Sequence, residues 1–292
     1  MIKKFSKIIY NVLKTIDLPL RIIFKKSFLV WFKEFIENDS YMNIKIPGEE
    51  KRINLFVPNY LTRWLSDEFF IKEPETIQWI DKFTKIENNN IIFWDVGANL
   101  GLYSIYAALK HANIEVISFE PSTSNLRVLS RNISINNLQD KVFINQLPLG
   151  NKSFNFSLLR ESKFGEGESN NSFKEPIDFE GKNIATKNSY KLLGTSINNL
   201  IDQKILKVPN YIKIDVDGLE HLILEGASNY LSNTNIKSIQ IEVNENHKNQ
   251  FENIIEIMKK NNFKFKYKKR NENLSIYKEK KFLTSYNYYF EK

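Results

Sequence analysis

With 292 residues, 42% of them hydrophobic and 13% aromatic, the chain has enough apolar material for a substantial core, which excludes disorder throughout. It has no Cys, so disulfides, Cys-ligated zinc, thiolate-held iron–sulfur clusters and thiol nucleophiles are excluded, and three His make an all-His metal site a poor candidate. The formal charge of +8 is unevenly placed: residues 1–33 hold eight Lys/Arg against Asp17, residues 259–281 hold ten against Glu272 and Glu279, and the body between them is acidic.

At the start of the chain, Phe5, Ile8, Ile9, Val12, Leu13 and Ile16 recur at helical spacing while Lys3, Lys4, Lys7 and Lys14 fall off that stripe. This pattern predicts a basic amphipathic helix, suited either to an anionic membrane surface or to packing on its own domain. The expected organisation is therefore a basic segment over residues 1–45 and one domain over 46–292. No run of 18 apolar residues occurs, which argues against a spanning helix. Asn11, Lys14, Arg21, Lys25 and Lys26 break the apolar patches and argue against a cleaved signal peptide. The expected location is cytoplasmic, with peripheral contact at the inner face of the membrane through residues 1–33 as a further expectation.

Further along, residues 56–65 and 74–83 read as short helices, the second opened by Pro74. Strands are expected over 91–96, 115–119, 141–147, 210–216 and 236–243, alternating with helices over 103–110, 122–136, 219–231 and 251–260. That alternation predicts a parallel sheet covered by helices on both faces. Residues 161–190, rich in Ser, Asn, Gly, Glu and Lys, are too long and polar for an ordinary connection and read as a substrate-facing flap or an unstructured insertion. Near the end, Phe263, Phe265 and Tyr267 alternate with lysines. This favours an edge strand with one aromatic and one lysine face over a nucleic-acid site, and residues 287–290 read as the last strand.

Ligands of open parallel sheets bind beyond the carboxyl ends of the strands, where the topology reverses. The loop there is Asp95-Val96-Gly97-Ala98-Asn99-Leu100-Gly101. Gly97 and Gly101 would let the backbone approach a ligand, and the following helix start offers free N–H groups. The dinucleotide fingerprint requires Gly where Asn99 stands, which counts against an NAD enzyme. Glu120, ending the next strand before Pro121, is spaced to accept both hydroxyls of an adenosine ribose. At the end of the 210–216 strand, alternation predicts Asp215 and Asp217 on one face, with Glu220 and Glu242 near enough to join them. Such a cluster could act as a base or hold a divalent metal. His221 reads as a helix-surface or partly buried residue, and His111 and His247 as loop residues without chemistry.

The stretches Lys72-Glu73-Pro74-Glu75-Thr76, Asp95 through Ser104, Phe119-Glu120-Pro121, Asn132 to Asn136, Lys213 through Gly218, Glu220, Gly226-Ala227 and Glu242 together resemble the FkbM family of S-adenosylmethionine-dependent methyltransferases. The resemblance implies a Rossmann-like seven-strand sheet and methyl transfer from S-adenosylmethionine to a hydroxyl of a glycan, glycolipid or related metabolite. It implies cofactor contacts from Asp95, Gly97, Asn99, Gly101, Tyr103, Glu120 and Pro121, with Asp215, Asp217 and Glu242 as the catalytic candidates. The alternative is a non-catalytic membrane- or nucleic-acid-binding adaptor on the same fold. Two departures stand out: Ser196-Ile197-Asn198 replaces the relatives' Ser-Leu-Asp, and Asp217 stands where they often carry Glu.

Overall fold

The computed structural model describes residues 1–84, 90–270 and 283–292. It opens with helices α1 (Ile2–Phe24) and α2 (Phe28–Asn38), joined where the buried Asp17 carboxylate accepts from Ser27 Oγ and the Phe28 N–H, both at 2.8 Å. A hairpin follows, β1 (Tyr41–Lys45) with β2 (Arg52–Phe56), then short helices α3 (Tyr60–Asp67), α4 (Phe69–Lys72) and α5 (Pro74–Asp81). The helix expected over 56–65 starts later. Phe56 ends β2 with its ring buried, and Asn59 begins α3 by accepting the Thr62 N–H at 2.9 Å.

The central sheet then forms as anticipated. Strand β3 (Ile91–Val96), helix α6 (Leu102–Lys110), strand β4 (Ile114–Phe119), helix α7 (Thr123–Ile135) and strand β5 (Val142–Asn145) alternate without interruption. The polar stretch is not unstructured: β6 (Asn155–Glu161), β7 (Asn171–Phe173) and β8 (Asn188–Gly194) pair into a separate three-stranded antiparallel sheet. After it come α8 (Ile197–Asp202), β9 (Tyr211–Ile214), α9 (Glu220–Glu225), β10 (Ser238–Asn244), α10 (Lys248–Lys260), β11 (Lys264–Lys269) and β12 (Ser285–Glu291).

The seven strands run in the order β11-β12-β10-β9-β3-β4-β5, parallel from β10 to β5, with β12 slotted antiparallel between β10 and β11. Both faces are buried, as a near-continuous apolar run requires. On β3, Ile91 and Phe93 pack with α5, α6 and α7, whereas Trp94 and Val96 pack with α8, α9 and α10. The order reverses at β3, whose neighbours are β4 on one side and β9 on the other, so the crevice opens beyond the ends of β3 and β9.

Two further expectations change. Helix α9 spans six residues rather than the expected run to 231, ending at Gly226, where a Cβ would lie 2.0 Å from the Gly150 carbonyl oxygen. Strand β11 lies at the sheet edge, but its aromatic face is only partly covered: Phe265 is 52% exposed, while Tyr267 stacks on Tyr289 at 4.5 Å across a register shift between the two residues. Residues 287–290 lie in β12, the last strand of the chain as expected, which sits one place in from the sheet edge.

Candidate active site

The loop leaving β3 is shaped by its two glycines. Gly97 has φ +84°, and a Cβ there would stand 1.8 Å from the Asp215 carbonyl oxygen, so the β3 and β9 loops touch backbone to backbone. Gly101, at φ +79°, faces α7, where a Cβ would meet Leu129 Cδ1 at 2.3 Å. Gly97 and Ala98 both donate their N–H to the Phe119 carbonyl, at 3.0 and 2.9 Å, pinning the loop to the end of β4.

Glu120 follows immediately. One carboxylate oxygen accepts the Asn99 N–H and the other the Ser122 N–H, each at 2.8 Å, and the residue is 4% exposed. Burial pushes its carboxyl up to about 7, against the pull of those two N–H groups. Gly97, Asn99, Tyr103, Glu120 and Pro121 line one cavity of about 250 Å³, as do Asp215, Asp217 and Glu242. Asp95 lies beneath the loop, wholly buried and accepting Ser104 Oγ at 2.7 Å, while Gly101 packs on Leu129; both shape the loop from behind.

Beyond β9 the strand geometry stops at Ile214, so the expected alternation of Asp215 and Asp217 does not apply. Asp215 instead accepts Lys213 Nζ at 2.7 Å, and the Lys213 ammonium lies 5.0 Å from the Tyr103 ring centroid. Asp217 turns at φ +58° and accepts the Asn170 N–H at 2.7 Å. Glu242 reaches in from β10. Sequence reasoning gave no role to Lys72 and Glu73, yet the end of α4 brings both into the cavity, their charges 3.3 Å apart.

These charges set the three carboxylates apart. Burial disfavours ionised Asp215, but Lys213 and Lys72 outweigh it and hold the group below the usual carboxylate range. Burial and then the Asp215 charge push Asp217 up to about 6. The same two causes, joined by Asp217, raise Glu242 well above the ordinary range. Glu220 stays out of this group, accepting the Val216 and Gly218 N–H groups at 3.0 and 3.1 Å and a bond from Gln250. The expectation of a divalent metal finds no support: ammonium groups supply the positive charge, and among the described residues no group of three or more His, Asp or Glu is arranged to hold a metal ion.

The polar insertion covers this cavity. Asn125 accepts the Gly167 N–H at 2.8 Å and donates to the Glu168 carbonyl at 3.1 Å, Asn59 donates to the Glu166 carbonyl at 3.0 Å, and Arg127 pairs with Glu166 at 2.6 Å. Gly167, Glu168, Asn171 and Phe173 form the wall opposite β3. Elsewhere, Ser196 caps α8 by accepting the Asn199 N–H at 3.2 Å and Asn198 bonds Ser228, which explains the departure there as local structure. His221 is buried edge-on against His247 at 6.2 Å, and His111 bonds the Ile80 carbonyl at 2.9 Å.

Residues 95–265 match the family model described as "Methyltransferase FkbM domain". The chain is similar to methyltransferase sdnD of Sordaria araneosa, 26% identical over 187 residues that cover 57% of this chain and 71% of that protein. It is also similar to hexuronic acid methyltransferase AglP of Haloferax volcanii, 27% identical over 154 residues covering 51% of this chain and 55% of AglP. A crystal structure of methyltransferase FkbM from Methylobacillus flagellatus KT aligns over 80% of this chain and 62% of its own, with 12% identity and a TM-score of 0.43.

Proposed function

The chain belongs to the FkbM methyltransferase family, and on that premise we propose that it transfers a methyl group from S-adenosylmethionine to a hydroxyl of a glycan or glycolipid, a sugar acid being the nearest model. Family membership makes the chain a methyltransferase and sets aside the adaptor and NAD readings. The observation that carries the cofactor reading is Glu120: a nearly buried carboxylate on the cavity wall, steadied by the Asn99 and Ser122 N–H groups and the Asn125 side chain, with acceptor capacity left for a ribose hydroxyl. Gly97 lines the same cavity, and the buried Asn99 Oδ1 has no hydrogen-bond partner among the described residues and could accept from the cofactor. The residues present therefore fit the cofactor, which supplies an electrophilic methyl group on sulfonium.

What the chain itself must supply is alignment and a destination for the hydroxyl proton. A sugar hydroxyl ionises much as water does, so freeing the alkoxide at pH 7 costs about 12 kcal/mol at about 1.36 kcal/mol per pK unit. A carboxylate must accept the proton during transfer. Among the three candidates Asp217 is best matched to neutral pH. Asp215 is too strongly held as the anion to be a good base, and Glu242, raised well above the ordinary range by burial and by the Asp215 and Asp217 charges, ionises less readily. In this reading Asp217 takes the proton and Asp215 and Glu242 orient the acceptor. The hexuronic acid named in AglP supports the sugar class alone.

Calorimetric titration with S-adenosylhomocysteine tests the cofactor assignment. Wild type should bind and Glu120→Ala should lose about a hundredfold, two charge-assisted hydrogen bonds of about 1.5 kcal/mol each. Equal binding by both would remove Glu120 from the site.

A further inference from the structure

Helix α1 places Lys3, Lys4, Lys7, Lys14 and Arg21 on one arc, at 3.6 residues per turn, and Phe5, Ile8, Ile9, Val12, Ile16 and Ile23 on the opposite arc. Among the described residues nothing covers the apolar arc: those six residues are between 44% and 69% exposed. Helix α2 continues the uncovered surface with Val30, Trp31 and Phe35, all exposed by more than half. A patch of this size with no packing partner is an interaction surface. The methyl-transfer reading leaves it unused.

We propose that α1 and α2 dock the protein on an anionic lipid surface, with α1 lying in the plane of the interface. Charge decides the occupant. Residues 1–33 carry eight Lys/Arg against one acid, so a second copy seated on this face would bring two strongly positive segments together, whereas lipid phosphates oppose them with negative charge. The basic residues run along the length of α1 from Lys3 to Arg21, which suits a helix lying flat. No described helix is long and apolar enough to cross a membrane. Trp31 adds a side chain favoured at the headgroup level.

The segment is also tied to the body. Asp17 fixes α1 to α2, and Glu37 of α2 pairs with Arg127 and Arg131 of α7. Arg127 holds Glu166 of the cavity-covering insertion at 2.6 Å. Docking through α1 and α2 therefore sets how the cavity is presented to the surface, which suits an acceptor carried on lipid.

The test is co-sedimentation of the full chain with vesicles of phosphatidylcholine alone and of phosphatidylcholine mixed with phosphatidylglycerol. Wild type should pellet with the anionic vesicles, less so as salt rises, and remain in solution with the neutral ones. Ile8→Asp with Ile16→Asp should abolish pelleting. Lys3→Gln, Lys4→Gln and Lys7→Gln together should weaken it roughly a hundredfold, about 1 kcal/mol per charge. Calorimetric binding of S-adenosylhomocysteine, unchanged in both variants, shows that they are folded and keeps this result separate from the cofactor assignment. Three results would overturn the proposal: equal partition to both vesicle types, no partition to either, or a wild-type dimer that Ile8→Asp with Ile16→Asp converts to monomer. Binding to RNA in place of vesicles would do the same.

Discussion

Lys213 and Asp215, two residues apart across the end of β9, form an ion pair of 2.7 Å in which the lysine is 1% exposed. Burial works against both charges; Lys213, helped by Lys72, holds Asp215 ionised, and Asp215, helped by Asp95 and Glu73, holds Lys213. Removing one partner strands its mate, so Lys213→Met should destabilise the fold by about 3 kcal/mol in urea unfolding, and adding Asp215→Asn should recover part of that loss. Asp215 sits below its ordinary value and Lys213 above its own. The pair's stabilisation is thus present across neutral pH, fading as acid passes the lowered Asp215 value or base passes the raised Lys213 value. Melts of the single and double variants that merely add would show that the two do not interact.

Glu120 supplies a pH signature. Its carboxyl stands at about 7 in the folded chain, above its ordinary value, so the stability it contributes is complete in acid and lost as pH rises through about 7. Ribose hydroxyls donate more strongly to the ionised form, so the effect on binding has the opposite sign. Affinity for S-adenosylhomocysteine should weaken by up to about tenfold for each pH unit below about 7 and level off above it. Glu120→Gln should flatten the profile when binding is titrated between acid and neutral pH.

Asp217 as the proton acceptor predicts that methyl transfer declines below about pH 6, where the carboxyl takes up its proton. Asp217→Asn should lower kcat by roughly 10²-fold or more with cofactor binding nearly unchanged. Single-turnover transfer of a labelled methyl group across this pH range, once an acceptor is in hand, measures both. An Asp217→Asn enzyme as fast as wild type would pass the role to another carboxylate.

Arg127 is 41% exposed at its side chain and holds Glu37 and Glu166 at once. Ion pairs this exposed contribute about 1 kcal/mol or less, so Arg127→Ala should hardly shift the unfolding midpoint. The insertion should loosen instead, with faster amide exchange at Gly167 and Asn170. Protection that stays at the wild-type level would mean that the bonds accepted by Asn125 and Asp217 hold it without Arg127.

The part of this site that could be read from the chain is the part made by neighbours in sequence. Gly97, Asn99 and Gly101 mark a loop because left-handed backbone leaves a residue signature, and Glu120 follows from the length of one strand–helix–strand unit. Lys72 and Glu73 stood in a stretch that resembles the family but gave no sign of their place, since they reach the cavity that Lys213 and Asp215 line from a segment far away in the chain. The insertion read as polar because its strands β6, β7 and β8 form a small sheet with much of its surface in water, blurring the period-two signal. Asp215 and Asp217 were both assigned to the right neighbourhood for a reason that fails: the strand ends before them, and turn geometry, not alternation, directs each.

The missing Cβ at Gly97 couples two halves of the chemistry that might be imagined as separable. The loop at Gly97 rests against the same peptide that carries Asp215, with no room for even a methyl group between them. Substitutions in residues 215–218 that shift this peptide should therefore shift the β3 loop as well, and variants altered there will need compensating changes on the β3 side.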